Sequence, residues 1–224
     1  MKSRKILSTC LTLAALACLA PVSAGIVTTT VFADFDSHRT LNFGPFDGGP
    51  GLGVGTDGST NNDQRAFIHF NLADLATPSD PITQAIFRVR LTSDFQPFGS
   101  ASLFEITAPW DAGTVPFTQP VSLPTAGNII GPPASQAAGY YDVDVTSVLQ
   151  NWQLTNAADP SLFYGFSIRG TETFTQTFKI FSSQESAFAP ELMISQVPEP
   201  STVILASLLL GCAIGYRRFQ TSAR

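Results

Sequence analysis

The chain has 224 residues, 17 acidic and 12 basic, with a formal net charge of −5. Between Gly25 and Val197 six Lys/Arg face sixteen Asp/Glu, a net charge of −10; such a surface repels nucleic acid and anionic lipid headgroups and offers carboxylates to hard cations. Cys10, Cys18 and Cys212 all lie outside that stretch, which excludes thiolate catalysis, Cys-ligated zinc and disulfide support within it.

In chain order, Lys2, Arg4 and Lys5 form a basic start, Ile6 to Ala20 an apolar run, and Val22-Ser23-Ala24 a small-residue site. This predicts a secretory signal peptide over residues 1–24, cleaved after Ala24. Residues 25–196 are long enough for one domain with its own core. Period-2 alternation dominates them. Ile26 to Phe35 is β-branched and aromatic, a good first strand. Arg65 to Leu72 places Ala66, Ile68, Phe70 and Leu72 on one face; Ala85 to Leu91 turns Ala85, Phe87, Val89 and Leu91 inward and Arg88 and Arg90 outward. Further strands are predicted at Ala101 to Thr107, Tyr140 to Val145, Leu162 to Arg169, Thr177 to Ser182 and Glu191 to Gln196, with Pro/Gly-rich connections at Gly44 to Gly58, Pro109 to Pro124 and Gly131 to Pro133. Ser147 to Gln153 reads as a short helix capped by Thr146, with Val148, Leu149 and Trp152 facing inward. Many short strands, one helix and no βαβ rhythm predict an all-β fold: an antiparallel β-sandwich, jelly roll by expectation.

The last 28 residues carry Val197-Pro-Glu-Pro-Ser201, an uncharged apolar run from Val203 to Tyr216, and Arg217-Arg218. As a helix that run spans roughly 21 Å, short of the ~30 Å hydrocarbon core, and its arginines belong on the cytoplasmic side. Pro198 and Pro200 hold Glu199 in extended, protease-accessible backbone. The segment resembles the PEP-CTERM sorting signal of exopolysaccharide-producing bacteria. The resemblance implies export, transient membrane anchoring by residues 197–224, recognition by an exosortase-type membrane protease at Pro198-Glu199-Pro200 with Arg217 and Arg218, and delivery to the cell surface or extracellular matrix. The plain alternative is an unprocessed C-terminal membrane helix.

A second resemblance covers most of residues 25–196. Arg65-Ala-Phe-Ile-His-Phe-Asn-Leu72, Ile82-Thr-Gln-Ala-Ile-Phe-Arg-Val89, Trp110-Asp-Ala-Gly-Thr114, Asp142 to Trp152, Gly165-Phe-Ser-Ile168 and Phe181 to Leu192 are similar to motifs of DNRLRE domains, although Asn71 stands where that family has Asp. The likeness implies a non-catalytic β-sandwich, similar to jelly-roll carbohydrate-binding modules, without a defined ligand.

Motifs with possible chemistry are few. Gly53-Val-Gly-Thr-Asp-Gly58 spells a dinucleotide fingerprint, but Ser-Thr-Asn-Asn follows in place of a helix that could hold pyrophosphate, so a loop is expected. Gly165-Phe-Ser-Ile-Arg169 lacks the last glycine of a nucleophile elbow and lies in a strand pattern. His38 and His69 are the two histidines, too few for zinc without carboxylates from distant segments, and no Ser-His-Asp triad is nominated. Calcium suits the acids better: Asp34 with Asp36 and Asp142 with Asp144 are predicted to share strand faces, and Asp47, Asp57 and Asp63 lie in or beside the Gly-rich segment. A structural Ca²⁺ would compensate for missing disulfides; a solvated acidic edge is the bland reading. Exposed rings that stack on sugars are the remaining candidates, with Trp110, Tyr140 and Tyr164 as platforms, while Trp152 is read as packing.

The sequence therefore predicts an exported, surface-sorted, non-catalytic β-sandwich that binds or organises extracellular polysaccharide. The competing classes are a polysaccharide hydrolase or lyase, which needs two suitably spaced catalytic groups, and a purely structural surface protein.

Overall fold

Residues 25–42, 44–56, 62–75, 80–94, 99–122, 127–130, 137–156, 159–170 and 177–198 are described by the computed structural model of the chain. Eleven strands follow in order: β1 (Val27–Thr40), β2 (Pro45–Phe46), β3 (Gly51–Val54), β4 (Gln64–Phe70), β5 (Ile82–Asp94), β6 (Ala101–Glu105), β7 (Gly127–Ile130), β8 (Gly139–Asp144), β9 (Phe166–Gly170), β10 (Lys179–Ser182) and β11 (Glu191–Gln196). Among the described residues one α-helix, α1 (Thr146–Asn156), is present and follows β8.

β1 belongs to two sheets. Val27 to Phe32 pairs with β11, whereas Ala33 to Thr40 pairs with β4. The switch coincides with a bulge between Ala33 and Phe35, the device by which a strand bends from one layer into another. The first sheet runs β1–β11–β5–β8, with β10 continuing the β11 side of β5 and β3 beyond it. The second runs β1–β4–β9–β6–β7, with the two-residue β2 on the outer side of β1. Every pairing is antiparallel. From β2 to β6 successive strands alternate between the two layers, as do β7, β8, β9 and β10, while β6–β7 and β10–β11 stay within one layer; this crossing order is that of a jelly roll.

The core follows from the alternation. Ala66, Ile68 and Phe70 from the second sheet meet Ala85, Phe87, Val89 and Leu91 from the first, all fully buried. Phe70, Phe87 and Phe166 pack edge to face or tilted at 5.4–6.4 Å, the favoured geometry for the ring quadrupole. One end of the core is closed by α1, whose Leu149 and Trp152 are buried, as the helical spacing predicts. Thr146 is the first helical residue instead of the cap: its N–H donates to Asp144 Oδ1 (2.9 Å), and its hydroxyl accepts from the Ala85 N–H (2.9 Å).

Three strands escape the sequence reading. β2 and β3 lie inside the segment expected to be a Gly-rich connection, and β7 carries just four residues. In β3 the small glycines serve packing: a Cβ on Gly53 would collide with the Gln64 side chain. The start of the expected Leu162 to Arg169 strand is a 3-10 turn, Pro160–Leu162, initiated by Asp159. Gly165, with φ +85°, then turns the chain into β9 where a Cβ would strike the Ile68 carbonyl.

Candidate functional site

The outer face of the first sheet carries an ordered set of rings and charges. Leu192, Phe87 and Val143 point inward, so their strand neighbours Glu191, Arg88 and Asp142 point outward. Register makes a transverse row Phe32–Glu191–Arg88–Asp142 across β1, β11, β5 and β8. Four strands at ~4.8 Å spacing give it a width of roughly 14 Å. Beside it Arg90 pairs with Tyr140, and the turn between β10 and β11 brings in Phe188. Phe32 (58%), Tyr140 (55%) and Phe188 (42%) are among the most exposed large side chains. The Tyr140 and Phe188 rings are 6.3 Å apart and nearly perpendicular.

The charges on this face hold one another in place. Arg88 donates twice to Asp142, Nε to Oδ1 (2.7 Å) and Nη2 to Oδ2 (2.8 Å), and Nη1 reaches Glu191 Oε1 (3.2 Å). The fork raises the Arg88 pKa above its ordinary value and draws that of Asp142 down. Such a partly exposed pair adds little stability, but it fixes two carboxylates and a guanidinium on one sheet face. Arg90 lies 3.8 Å from the Phe188 ring centroid and Arg88 5.8 Å from that of Tyr140, so cations sit against both rings.

The other two expected platforms lie on the opposite layer. Trp110 and Tyr164 are half-buried beside Phe67, Ile106 and Val115, in a small second cluster under the connection that follows β6. Trp110 packs on Phe35 (4.9 Å) and Phe67 (5.8 Å), and its indole N–H donates to the Tyr164 carbonyl at 2.7 Å. Tyr140 stands apart from both. Phe188 and Phe32 were missed by the sequence reading. Phe32 had a signal, being out of phase with Val31 and Ala33; Phe188, in a turn, had none.

The aspartates expected to hold calcium are drawn to other partners. The bulge at Asp34 puts it and Asp36 in different environments. Asp34 is exposed and bonds His69 Nδ1 (2.7 Å), under a Phe35 ring stacked on the imidazole at 4.3 Å. Asp36 is buried and accepts the Gln184 N–H. Burial pushes its pKa up to about 7, with the Gln184 bond opposing and nearby Glu185 adding to the rise. Asp142 and Asp144 do share an outward face, but Asp142 is committed to Arg88 and Asp144 to Thr146, which lowers the Asp144 pKa. Among the described residues no three His, Cys, Asp or Glu side chains gather as a metal site. Asp57, Ala24, Glu199, Pro200, Arg217 and Arg218 lie outside the described residues, and Pro198 is at their edge. No helix among the described residues is long and apolar enough to cross a membrane; Val203 to Tyr216 falls outside them.

A concavity of about 490 Å³ opens where β3 and β10 meet β1, walled by His38, Pro50, Thr92, Phe178 and Ile180. His38 stacks on the half-exposed Phe46 ring (5.0 Å), and burial lowers its pKa.

Strand order and the ring-bearing outer face define the class: a jelly-roll β-sandwich whose outer sheet face carries hydrogen-bonded polar groups and exposed aromatics. Residues 34–196 match carbohydrate-binding module family 96, and the chain belongs to that family. No curated protein matches it.

Proposed function

We propose that the chain is an exported, surface-sorted, non-catalytic protein that binds extracellular polysaccharide through the outer face of its first sheet. Family membership supports carbohydrate as the ligand class. The observation that carries the location is the grouping of Phe32, Tyr140 and Phe188, all exposed, around the fixed Arg88–Asp142–Glu191 set. Pyranose rings offer apolar faces to aromatic side chains, and their hydroxyls donate to carboxylates and accept from guanidinium N–H groups. An open sheet face roughly 14 Å wide suits a polymer chain better than a single small sugar. Arg88, Asp142 and Glu191 are already held by their mutual hydrogen bonds, which lowers the entropic cost of using them.

Surface sorting rests on the tail sequence: Pro198-Glu199-Pro200, the apolar segment and Arg217-Arg218 fit processing by an exosortase-type protease and transient anchoring. Affinity electrophoresis of the full chain in gels containing the producer's own polymer tests the binding. Retardation is expected, with no new reducing ends and no unsaturated sugars released. Free migration in every polymer would contradict binding, and polymer turnover would make the protein an enzyme. Mass spectrometry of surface material should recover the protein without Arg217; its presence there would contradict sorting.

A further inference from the structure

Leu52 and Val54 of β3 are buried in the core, so Gly51 and Gly53 face outward, opposite Ser182 and Ile180 of β10. With no side chain at either position, backbone forms the floor of the concavity of about 490 Å³. Ile180 and Gln64 lie over that floor: a Cβ on Gly51 would strike Ile180 Cγ2, and one on Gly53 the Gln64 amide. Paired backbone bonds between Gly55 and Gln64 (3.0 and 2.7 Å) seat β4 against this edge. At the rim, the Ser183 hydroxyl donates to the Gly49 carbonyl beside Pro50. Strand register and short bonds therefore shape the hollow without a ligand.

Its lining has one chemical character. Pro50, Phe178 and Ile180 give apolar walls, and no Asp, Glu, Lys or Arg side chain is among the lining residues. Three polar side chains converge there: Thr92, Gln64 and His38. Thr92 Oγ1 donates its proton to the Ile180 carbonyl (2.9 Å), which leaves it an acceptor. Among the described residues the Gln64 amide and the His38 ring nitrogens have no hydrogen-bond partner. Burial lowers the His38 pKa and Phe46 stacks on the ring, so a neutral imidazole brings one donor and one acceptor. A hollow with apolar walls and a few convergent neutral groups has the anatomy of a small-molecule site. Those groups match hydroxyls, not carboxylates or sulfates.

We propose that this concavity receives one neutral 6-deoxyhexose unit projecting from a polysaccharide as a branch or chain end. Its methyl group would rest against Pro50, Phe178 and Ile180, and its hydroxyls would bond Gln64, His38 and Thr92. A hydroxymethyl group in place of the methyl would bring a hydroxyl to walls that offer it no partner. The choice of carbohydrate rests on the function proposed above; the hollow and its chemistry do not. Thr92 lies two residues beyond Arg90 on β5, roughly 7 Å along the same outward face. A polymer lying over Tyr140 and Phe188 therefore passes the mouth of the hollow. The open face meets units within a chain, and the hollow admits a unit that stands out from it.

Calorimetric titration of the full chain should compare the methyl glycosides of L-rhamnose with L-mannose, and of L-fucose with L-galactose. Within each pair the sugars differ only at the 6-hydroxyl. In at least one pair the deoxysugar should bind about fivefold more tightly. His38→Phe keeps the stack on Phe46, and Gln64→Leu keeps the bulk over Gly53. Each should weaken deoxysugar binding about fivefold, the loss of roughly one net hydrogen bond, with melting and retardation by a neutral mixed-linkage glucan unchanged. If one variant fails to fold, the other decides. Absence of deoxysugar binding, equal affinity within both pairs, or unchanged binding by the folded variants would overturn the proposal. Tyr140→Ala should leave deoxysugar binding intact. Glucan retardation without deoxysugar binding would sink the hollow alone, and deoxysugar binding without glucan retardation would count against the Tyr140 face instead.

Discussion

The Arg90 guanidinium lies 3.8 Å from the centroid of the Phe188 ring, joining an outward residue of β5 to a ring that arrives on the turn between β10 and β11. A cation against an exposed ring contributes about 0.5–1 kcal/mol, enough to bias how the ring is presented. Arg90→Ala is expected to leave melting almost unchanged while weakening polysaccharide binding about two- to fivefold. Calorimetry and affinity gels check both. Unchanged binding would separate Phe188 from the ligand face.

Trp110 should behave in the opposite way. Its ring fills the cluster with Phe35 and Phe67 and its N–H serves the Tyr164 carbonyl. Trp110→Ala should cost roughly 2–4 kcal/mol in chemical denaturation, with little change in affinity for a neutral glucan at temperatures where the variant is folded.

Lys179 and Asp94 face each other across β10 and β5 with 1% and 4% of their side chains exposed, and Lys179 Nζ donates to Asp94 Oδ1 at 2.9 Å. Removing one partner strands a buried charge. Asp94→Ala should destabilise by roughly 3–5 kcal/mol, whereas replacing both residues with apolar side chains of similar volume should cost far less. Urea titration of the two variants distinguishes a mutually dependent pair from two independent contributions.

Asp36 supplies a pH dependence. Its folded pKa is raised to about 7 from the model-compound 3.8, so the folded state holds the proton more tightly than the unfolded state does. Stability from the neutral carboxyl is complete below about pH 4, declines as pH rises to about 7, and is flat above that. Asp36→Asn keeps an acceptor for the Gln184 N–H and removes the titration. It should stabilise the protein at pH 8 by up to a few kcal/mol, on the order of the shift itself, and have little effect at pH 4. Melting curves of both proteins at the two pH values measure the difference, and an equal effect at both would exclude Asp36 as its source.

The layers of this fold were legible because burial imposes period 2 on a strand. Alternation puts Ala66, Ile68, Phe70 and Leu72 on one face and turns Ala85, Phe87, Val89 and Leu91 inward, and all are fully buried. β3 was hidden because Gly51 and Gly53 erase one phase of the alternation, leaving Leu52 and Val54 as a faint signal. The bulge at Asp34 reverses the phase of β1, and no local residue pattern announces it, so Asp34 and Asp36 were expected together and are separated. The candidate site was the least legible part: Phe188 acquires its place beside Arg90 from strand pairing of segments about a hundred residues apart.

Tyr140 and Phe188 carry the central claim most directly. Binding of neutral polysaccharide by the full chain should be measured by affinity electrophoresis for wild type, Tyr140→Ala, Phe188→Ala and the double variant, with melting temperatures in parallel. Each single change should lose about 1–2 kcal/mol, roughly five- to thirtyfold in affinity, and the double variant should abolish retardation while remaining folded. Full retardation of the folded double variant would contradict the account.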